Sequence, residues 1–339
     1  MARRKQSAPR RGSLGVRPRK RASRIVPRVK SWPEIVSEKP QLLAFLGYKA
    51  GVTHAIIIDD HPNSPTYGRE IAIPLTIIET PPMIPLAARF YVEKPGYGFA
   101  TLTEAWVEPP KELEIVRKIP TFKPNDHEKI FKIVEESIEK IVRVSVIASS
   151  QPKLAGGLEK KKPDLIEIVV GGGKNVGERI DYVRKILGQS ISASEIFRAG
   201  GFVDVIGVTK GKGFQGVIKR FGVRELPRWH KHRKGSRRIG ARSPGRGTVS
   251  EAPQAGQMGF HRRTIHNLRI IMIDRDPSKI NPKGGFPHYG LVRSEYLAVL
   301  GSVQGPPKRP IVLRYPVRPP SIAFEGPPKI VYISLESKV

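Results

Sequence analysis

Apolar residues in the chain fall into short runs broken by Gly, Pro and Asp, with few long stretches at helical spacing. Residues 42–48 and 53–58 are apolar and flank Lys49-Ala50-Gly51, which reads as a turn. Residues 71–79, 88–93 and 98–107 continue the pattern, with Pro and Gly between them and an Asp- and Pro-rich loop at 59–65. Near residue 111 the period changes. Asn125 followed by Glu128 resembles a capping box, and Ile130, Val134, Ile138 and Ile141 then recur at helical spacing. A strand over 165–170 follows a Lys-rich loop. Asn175 and Glu178 then open a second helix, with Ile180, Val183 and Leu187 on one face and Gly188 ending it. Strand signals resume at 202–208, 214–221, 267–273, 296–300, 311–315 and 330–334.

Short strands at this spacing predict a barrel or sandwich, not a parallel sheet alternating with helices. The expected fold class is mainly β with an α+β insertion, an extended basic N-terminal arm and a long basic internal loop. The expected division is an arm over 1–40, a first part of the β-barrel over 41–110, an inserted α+β lobe over 111–195, and a second part over 196–339. Within the last, residues 222–256 hold few apolar positions and read as a projecting loop.

Charge sharpens this picture. The 339 residues carry 60 Lys+Arg against 30 Asp+Glu, a formal net charge of +30. Residues 1–30 hold twelve Lys/Arg and no acid, and residues 210–246 hold thirteen with Glu225 as the one acid, so two segments carry +24 of the +30. Neither has the apolar periodicity to offset the roughly 1–2 kcal/mol per residue that ordering a backbone costs, so each is expected to order on a polyanion. Arg supplies a planar fork for phosphate and a face that stacks on bases. Trp229 and Phe221 lie inside the second basic run and Trp32 just past the first, a mixture that suits irregular RNA better than uniform duplex DNA.

Other chemistries find no frame. With no cysteine, disulfides, thiolate nucleophiles and Cys-ligated zinc are excluded. The longest uncharged run, 296–307, is short and broken by Gly and Pro, which predicts no membrane span. Met1-Ala2-Arg3-Arg4-Lys5 has no apolar stretch behind it and predicts no secretory signal, in keeping with a cytoplasmic protein. Gly211-Lys212-Gly213-Phe214-Gln215-Gly216 fits a dinucleotide fingerprint, but the continuation from Val217 reads as a basic strand, with no helix to meet a pyrophosphate. Gly171-Gly172-Gly173-Lys174 lacks the remainder of a P-loop. His230, His232, His261, His266 and His288 have no carboxylate at ligand spacing, so no metal is expected. No cofactor, small-molecule substrate or catalytic site is predicted.

Specific residues then carry a resemblance. Phe197, Asp204, Gly207, Thr209, Gly211-Lys212-Gly213, Gly216 and Arg220 fall at the offsets of the signature of the ribosomal protein uL3 (L3) family. Ala255-Gly256-Gln257-Met258-Gly259, Arg262-Arg263-Thr264 and the run from Gly284 to Gly290 also resemble that family, the last in the manner of its archaeal and eukaryotic branch, and the inserted lobe and the length suit its archaeal form. The resemblance implies a translation-protein-like β-barrel and a structural, non-enzymatic constituent of the large (50S) subunit in the cytoplasmic ribosome. It further implies binding to 23S rRNA near its 3′ end, a part in nucleating assembly, a basic loop reaching toward the peptidyl-transferase centre, and neighbours resembling L14 and L24e. A non-ribosomal RNA- or DNA-packaging protein is the alternative reading.

The residues expected to bind rRNA are Arg10, Arg11, Arg17, Arg19 and Arg21 in the arm, and Lys210, Lys212 and Arg220 in the Gly-rich segment. In the loop they are Arg224, Arg228, Trp229, His232 and Arg233, with Arg237, Arg238, Arg242 and Arg246 beyond them. Gln257, Arg262 and Arg263 follow. Gln257 matches a glutamine that bacterial members methylate. Val249 stands where eukaryotic members carry a loop-tip tryptophan.

Overall fold

The computed structural model describes residues 12–13, 15–107, 127–227, 253–321, 324 and 326–337. Asn125, Trp229, the loop arginines from Arg228 to Arg246, and Arg10 and Arg11 lie outside them. The chain separates into two compact units. Unit 1 comprises Met1–Ser23 and Val208–Arg263; unit 2 comprises Arg24–Gly207 and Thr264–Val339.

Unit 2 holds nearly all of the core. Its strands are β1 (Gln41–Leu42), β2 (Ala44–Ile58), β3 (Glu70–Glu79), β4 (Met83–Lys94), β5 (Gly98–Trp106), β6 (Ile141–Ser150), β7 (Leu165–Gly171) and β8 (Phe202–Val208). After β9 (Gly211–Gln215) and β10 (Gly256–Gly259) of unit 1 come β11 (Arg262–Asp274), β12 (Tyr296–Leu300), β13 (Pro310–Arg314) and β14 (Ile330–Ile333). The helices are α1 (His127–Glu136), α2 (Val176–Ile186), the short α3 (Ala193–Ile196) and α4 (Val217–Phe221), the last in unit 1.

One antiparallel sheet runs β1-β7-β6-β4-β5. A second runs β13-β8-β11-β12-β3-β2-β14, and β13 also pairs with β2, so neighbours followed from β13 lead back to β13. The chain is mainly β, as its pattern predicts. The inserted region shares a sheet with residues from the first strand run: β4 pairs with β6 on one side and with β5 on the other. One apolar cluster also joins Phe45, Phe90, Phe131, Val146, Ile180 and Val312.

Two local readings change. Lys49-Ala50-Gly51 is a bulge inside a single fifteen-residue strand and not a turn. The register shifts between Lys49 and Gly51; the Lys49 ammonium donates to Val303 O and Gly305 O, and a Cβ on Gly51 would lie 2.4 Å from the Phe286 ring. The helical spacing from Ile130 to Ile141 also spans three elements, with Ile138 in a 3-10 turn over Ile138–Lys140. The helix ends at Glu136, and Ile141 opens β6, whose β-branched residues pair between β4 and β7.

Residues 24–40 lie along unit 2, with Val26, Val29 and Trp32 against its core. Arg314 ties this stretch to the strands: its guanidinium donates to Ser31 O and, at 2.5 Å, to Asp204. Asp204 is fully buried and also accepts from Asn267 N–H, Val317 N–H and His266 Nδ1. Burial opposes its charge, but the bonds from Arg314, Asn267, Val317 and His266 outweigh burial and hold the carboxyl below its ordinary range. A depressed carboxylate contributes stability above its unfolded pKa and loses it as pH falls through the folded value. We therefore expect Asp204→Asn to lower the unfolding free energy at pH 7 by about 3–5 kcal/mol. Denaturant titrations should find that deficit shrinking below about pH 4. An equal deficit at pH 7 and pH 3 would show that the carboxylate charge does not carry the effect.

Candidate nucleic-acid interface

Unit 1 is built on a Gly-rich hairpin. β9 and β10 pair antiparallel, with Gly256 opposite Gln215, Gln257 opposite Phe214 and Gly259 opposite Gly211. Beyond the ladder, Phe260 N–H donates to Lys210 O, Thr209 N–H to His261 O, and His261 N–H to Thr209 Oγ1. Gly259 is confined to glycine: its φ is +72°, and a Cβ there would sit 2.1 Å from Lys210 O. The segment from Val217 is helical and not the basic strand its sequence suggests; Gly216 caps α4 at its start and Gly222, in the left-handed region, at its end. That helix is five residues long and follows a hairpin strand, not the parallel strand of a dinucleotide fold.

Across this hairpin lies part of the N-terminal arm. Ala22 N–H donates to Phe260 O at 2.8 Å. The Arg220 guanidinium reaches three carbonyls with three nitrogens: Nε to Gln257 O at 3.0 Å, Nη1 to Gln254 O at 2.9 Å and Nη2 to Arg19 O at 3.1 Å. One side chain thereby joins the arm to the far end of the long loop. Arg19 answers with a bond to Arg220 O, and both guanidinium groups lie over the Phe221 ring, at 4.4 and 5.2 Å from its centre. Arg263 donates to Val16 O and Pro18 O. Arg21 lies 5.8 Å from the centre of the Phe260 ring. Main-chain acceptors, and not only a polyanion, therefore hold residues 16–22.

His261 is the neutral member of this cluster. It is buried; its Nδ1–H donates to Lys20 O at 2.8 Å while Nε2 accepts Gly259 N–H at 3.1 Å, which fixes the tautomer. Burial, then repulsion from Arg263, Arg220 and Arg19, pushes its pKa down against the opposing bond to Lys20 O. Arg220 and Arg263 are lowered too, first by burial and then by neighbouring arginines. Glu225 is the one carboxylate among the described residues of this unit.

The structure thus brings together Arg17, Arg19, Arg21, Lys210, Lys212, Arg220, Gln257, Arg262 and Arg263 of the sequence-predicted set within unit 1. Lys210, Lys212 and Arg224 are exposed. The Gln257 amide donates back to Met258 O and Gly259 O. Arg10, Arg11, Arg228, Trp229, His232, Arg233, Arg237, Arg238, Arg242 and Arg246 lie outside the described residues. Three members were not legible as site residues. Thr209 and His261 become so only through pairing across the hairpin, and Phe214 is a strand residue whose ring is 77% exposed beside Lys212. Among the described residues no group of His, Asp and Glu gathers as a metal site, and no helix is long and apolar enough to cross a membrane.

Fold and site together define a mainly β, strongly basic protein with a surface suited to polyanions. The family model for ribosomal protein L3 matches residues 1–323. Large ribosomal subunit protein uL3 of Aeropyrum pernix is 58% identical over 341 residues, covering 100% of this chain and 99% of its own length. The uL3 proteins of Sulfurisphaera tokodaii and Saccharolobus solfataricus are 51% and 49% identical at the same coverage. The chain belongs to the ribosomal protein L3 family.

The Arg220 fork makes a sharp expectation. Arg220→Lys keeps the charge but cannot reach three carbonyls, and hydrogen bonds from charged donors are worth about 1.5–3 kcal/mol. Hydrogen exchange at the Ala22 amide should accelerate by roughly tenfold or more. An unchanged rate would mean that other contacts hold the arm.

Proposed function

We propose that this protein is a structural, non-catalytic constituent of the large ribosomal subunit in the cytoplasmic ribosome, and that unit 1 is its rRNA-binding face. One observation carries the reading: the arm and hairpin concentrate cations, with exposed Lys210, Lys212 and Arg224, in a unit whose described residues include a single carboxylate. Such a surface gains by neutralising closely spaced phosphates and releasing their counterions. Exposed Phe214 offers a ring on which a base can stack. On this reading the basic set of the arm, the Gly-rich segment and the loop contacts 23S rRNA near its 3′ end. The protein helps nucleate subunit assembly, and the loop over 222–256 extends toward the peptidyl-transferase centre.

The returning order of strand pairs from β13 supports a translation-protein-like barrel drawn from β2 and β3 of 41–110 and from β8, β11, β12 and β13 of 196–339, with 1–40 as the arm; β4 and β5 pair instead in the sheet of the inserted lobe over 111–195. Neighbouring subunit proteins would resemble L14 and L24e.

The test is a salt titration of rRNA affinity. Replacing Arg237 and Arg238 with Ala should weaken binding and flatten the log–log salt slope by about 1.4–1.8 units, the share of two phosphate contacts. An unchanged slope would remove both residues from the interface. Equal affinity for duplex DNA at matched salt would replace the ribosomal reading with a general nucleic-acid binder.

A further inference from the structure

A cavity of about 440 Å³ opens in unit 1, with walls from both the arm and the hairpin. Val16 and Arg19 line it from the arm, Thr209, Lys210, Lys212, His261 and Arg263 from the hairpin strands and their flanks, and Arg220 from α4. No carboxylate among the described residues borders it. We propose that this cavity is a composite phosphate site for an RNA phosphodiester, complete only when the arm is docked, so that arm docking and phosphate binding reinforce each other. The inference rests on the rRNA-binding reading and names the group that this part of the surface takes.

The donor geometry supports the assignment. Arg220 and Arg263 direct much of their hydrogen-bonding capacity at carbonyls of the arm and loop end, so they act as fixed positive walls. Lys210 and Lys212 have no ion pair among the described residues and present exposed ammonium groups at the rim. Thr209 Oγ1 accepts from His261 N–H, which leaves its own O–H to donate. Cations arriving from several sides, with a hydroxyl among them, suit the tetrahedral oxygens of a phosphate better than a planar carboxylate. The cavity is far larger than one phosphate group, leaving room for flanking riboses.

The coupling follows from charge. Arg19 from the arm lies among Arg220 and Arg263, and the three repel one another. An anion in the cavity relieves that repulsion, so a bound phosphate stabilises the docked arm, and by reciprocity the docked arm raises phosphate affinity.

The experiment follows hydrogen exchange at the Ala22 amide in the full chain. Inorganic phosphate is titrated at constant ionic strength, and a short oligoribonucleotide separately. Ligand at ten times its dissociation constant should slow exchange by about tenfold. The oligoribonucleotide should act at lower concentration than inorganic phosphate. The double variant Lys210→Ala, Lys212→Ala, compared with its own rate without ligand, should lose the response. Exchange that ignores both ligands, or an undiminished response in the double variant, would overturn the site. Protection by phosphate without protection by the oligoribonucleotide would overturn its assignment to RNA. The rRNA affinity of the wild-type chain, measured in parallel, separates the two readings. Intact rRNA binding with no ligand-dependent protection removes the cavity site alone. Absent rRNA binding removes the ribosomal reading, while the exchange data still judge the cavity.

Discussion

Crowded positive charge is the constraint that unit 1 must meet before it can bind anything. Arg19, Arg220 and Arg263 converge with a neutral imidazole and, among the described residues, no carboxylate near the cavity, an arrangement that repels itself. The solution is the peptide carbonyl. Arg220 takes three of them and Arg263 two from the arm, while two phenylalanine faces lie under Arg19, Arg21 and Arg220. Carbonyls stabilise guanidinium groups without cancelling their charge. The surface stays electropositive and yet keeps a defined shape, which an acidic partner would have neutralised.

The same economy appears in the buried part of unit 2, with opposite logic. Where a cation must sit out of water, as at Arg314, it meets the carboxylate of Asp204, which also accepts from Asn267 N–H and Val317 N–H. At Arg314 burial is met by an ion pair, while in unit 1 carbonyl pairing keeps the positive field.

Much of this was legible in the sequence. Short apolar runs bounded by turn residues located most strands, since strands such as β8, β12 and β13 are buried on both faces and leave few polar positions inside them. The charge map located both halves of unit 1, because acid-free stretches stand out against an ordinary background. The sequence misled where one signal served two structures. Lys49-Ala50-Gly51 carries turn residues because a bulge against Phe286 demands them. The spacing from Ile130 to Ile141 imitates one helix because a helix, a 3-10 turn and a strand follow one another there.

The signature residues were legible as a family pattern but not as individual roles. Phe197 packs on Tyr315, Asp204 anchors Arg314, Thr209 holds His261, and Arg220 clamps the arm. Each role depends on a partner 50 or more residues away in at least one contact, which no local pattern discloses. The arm's docking was hidden for the same reason: its partners are main-chain carbonyls, and carbonyls leave no mark in composition.

The central claim is that unit 1, arm and hairpin together, is the face that meets ribosomal RNA. It is tested most directly by cross-linking the protein to RNA in its own cells, then sequencing both the attached RNA and the attached peptides. The account predicts reads concentrated near the 3′ end of the large-subunit rRNA and cross-linked peptides from the arm, from residues 208–227 and from the long loop. Peptides drawn mainly from the β1-β7-β6-β4-β5 sheet, or reads scattered over messenger RNA, would contradict it.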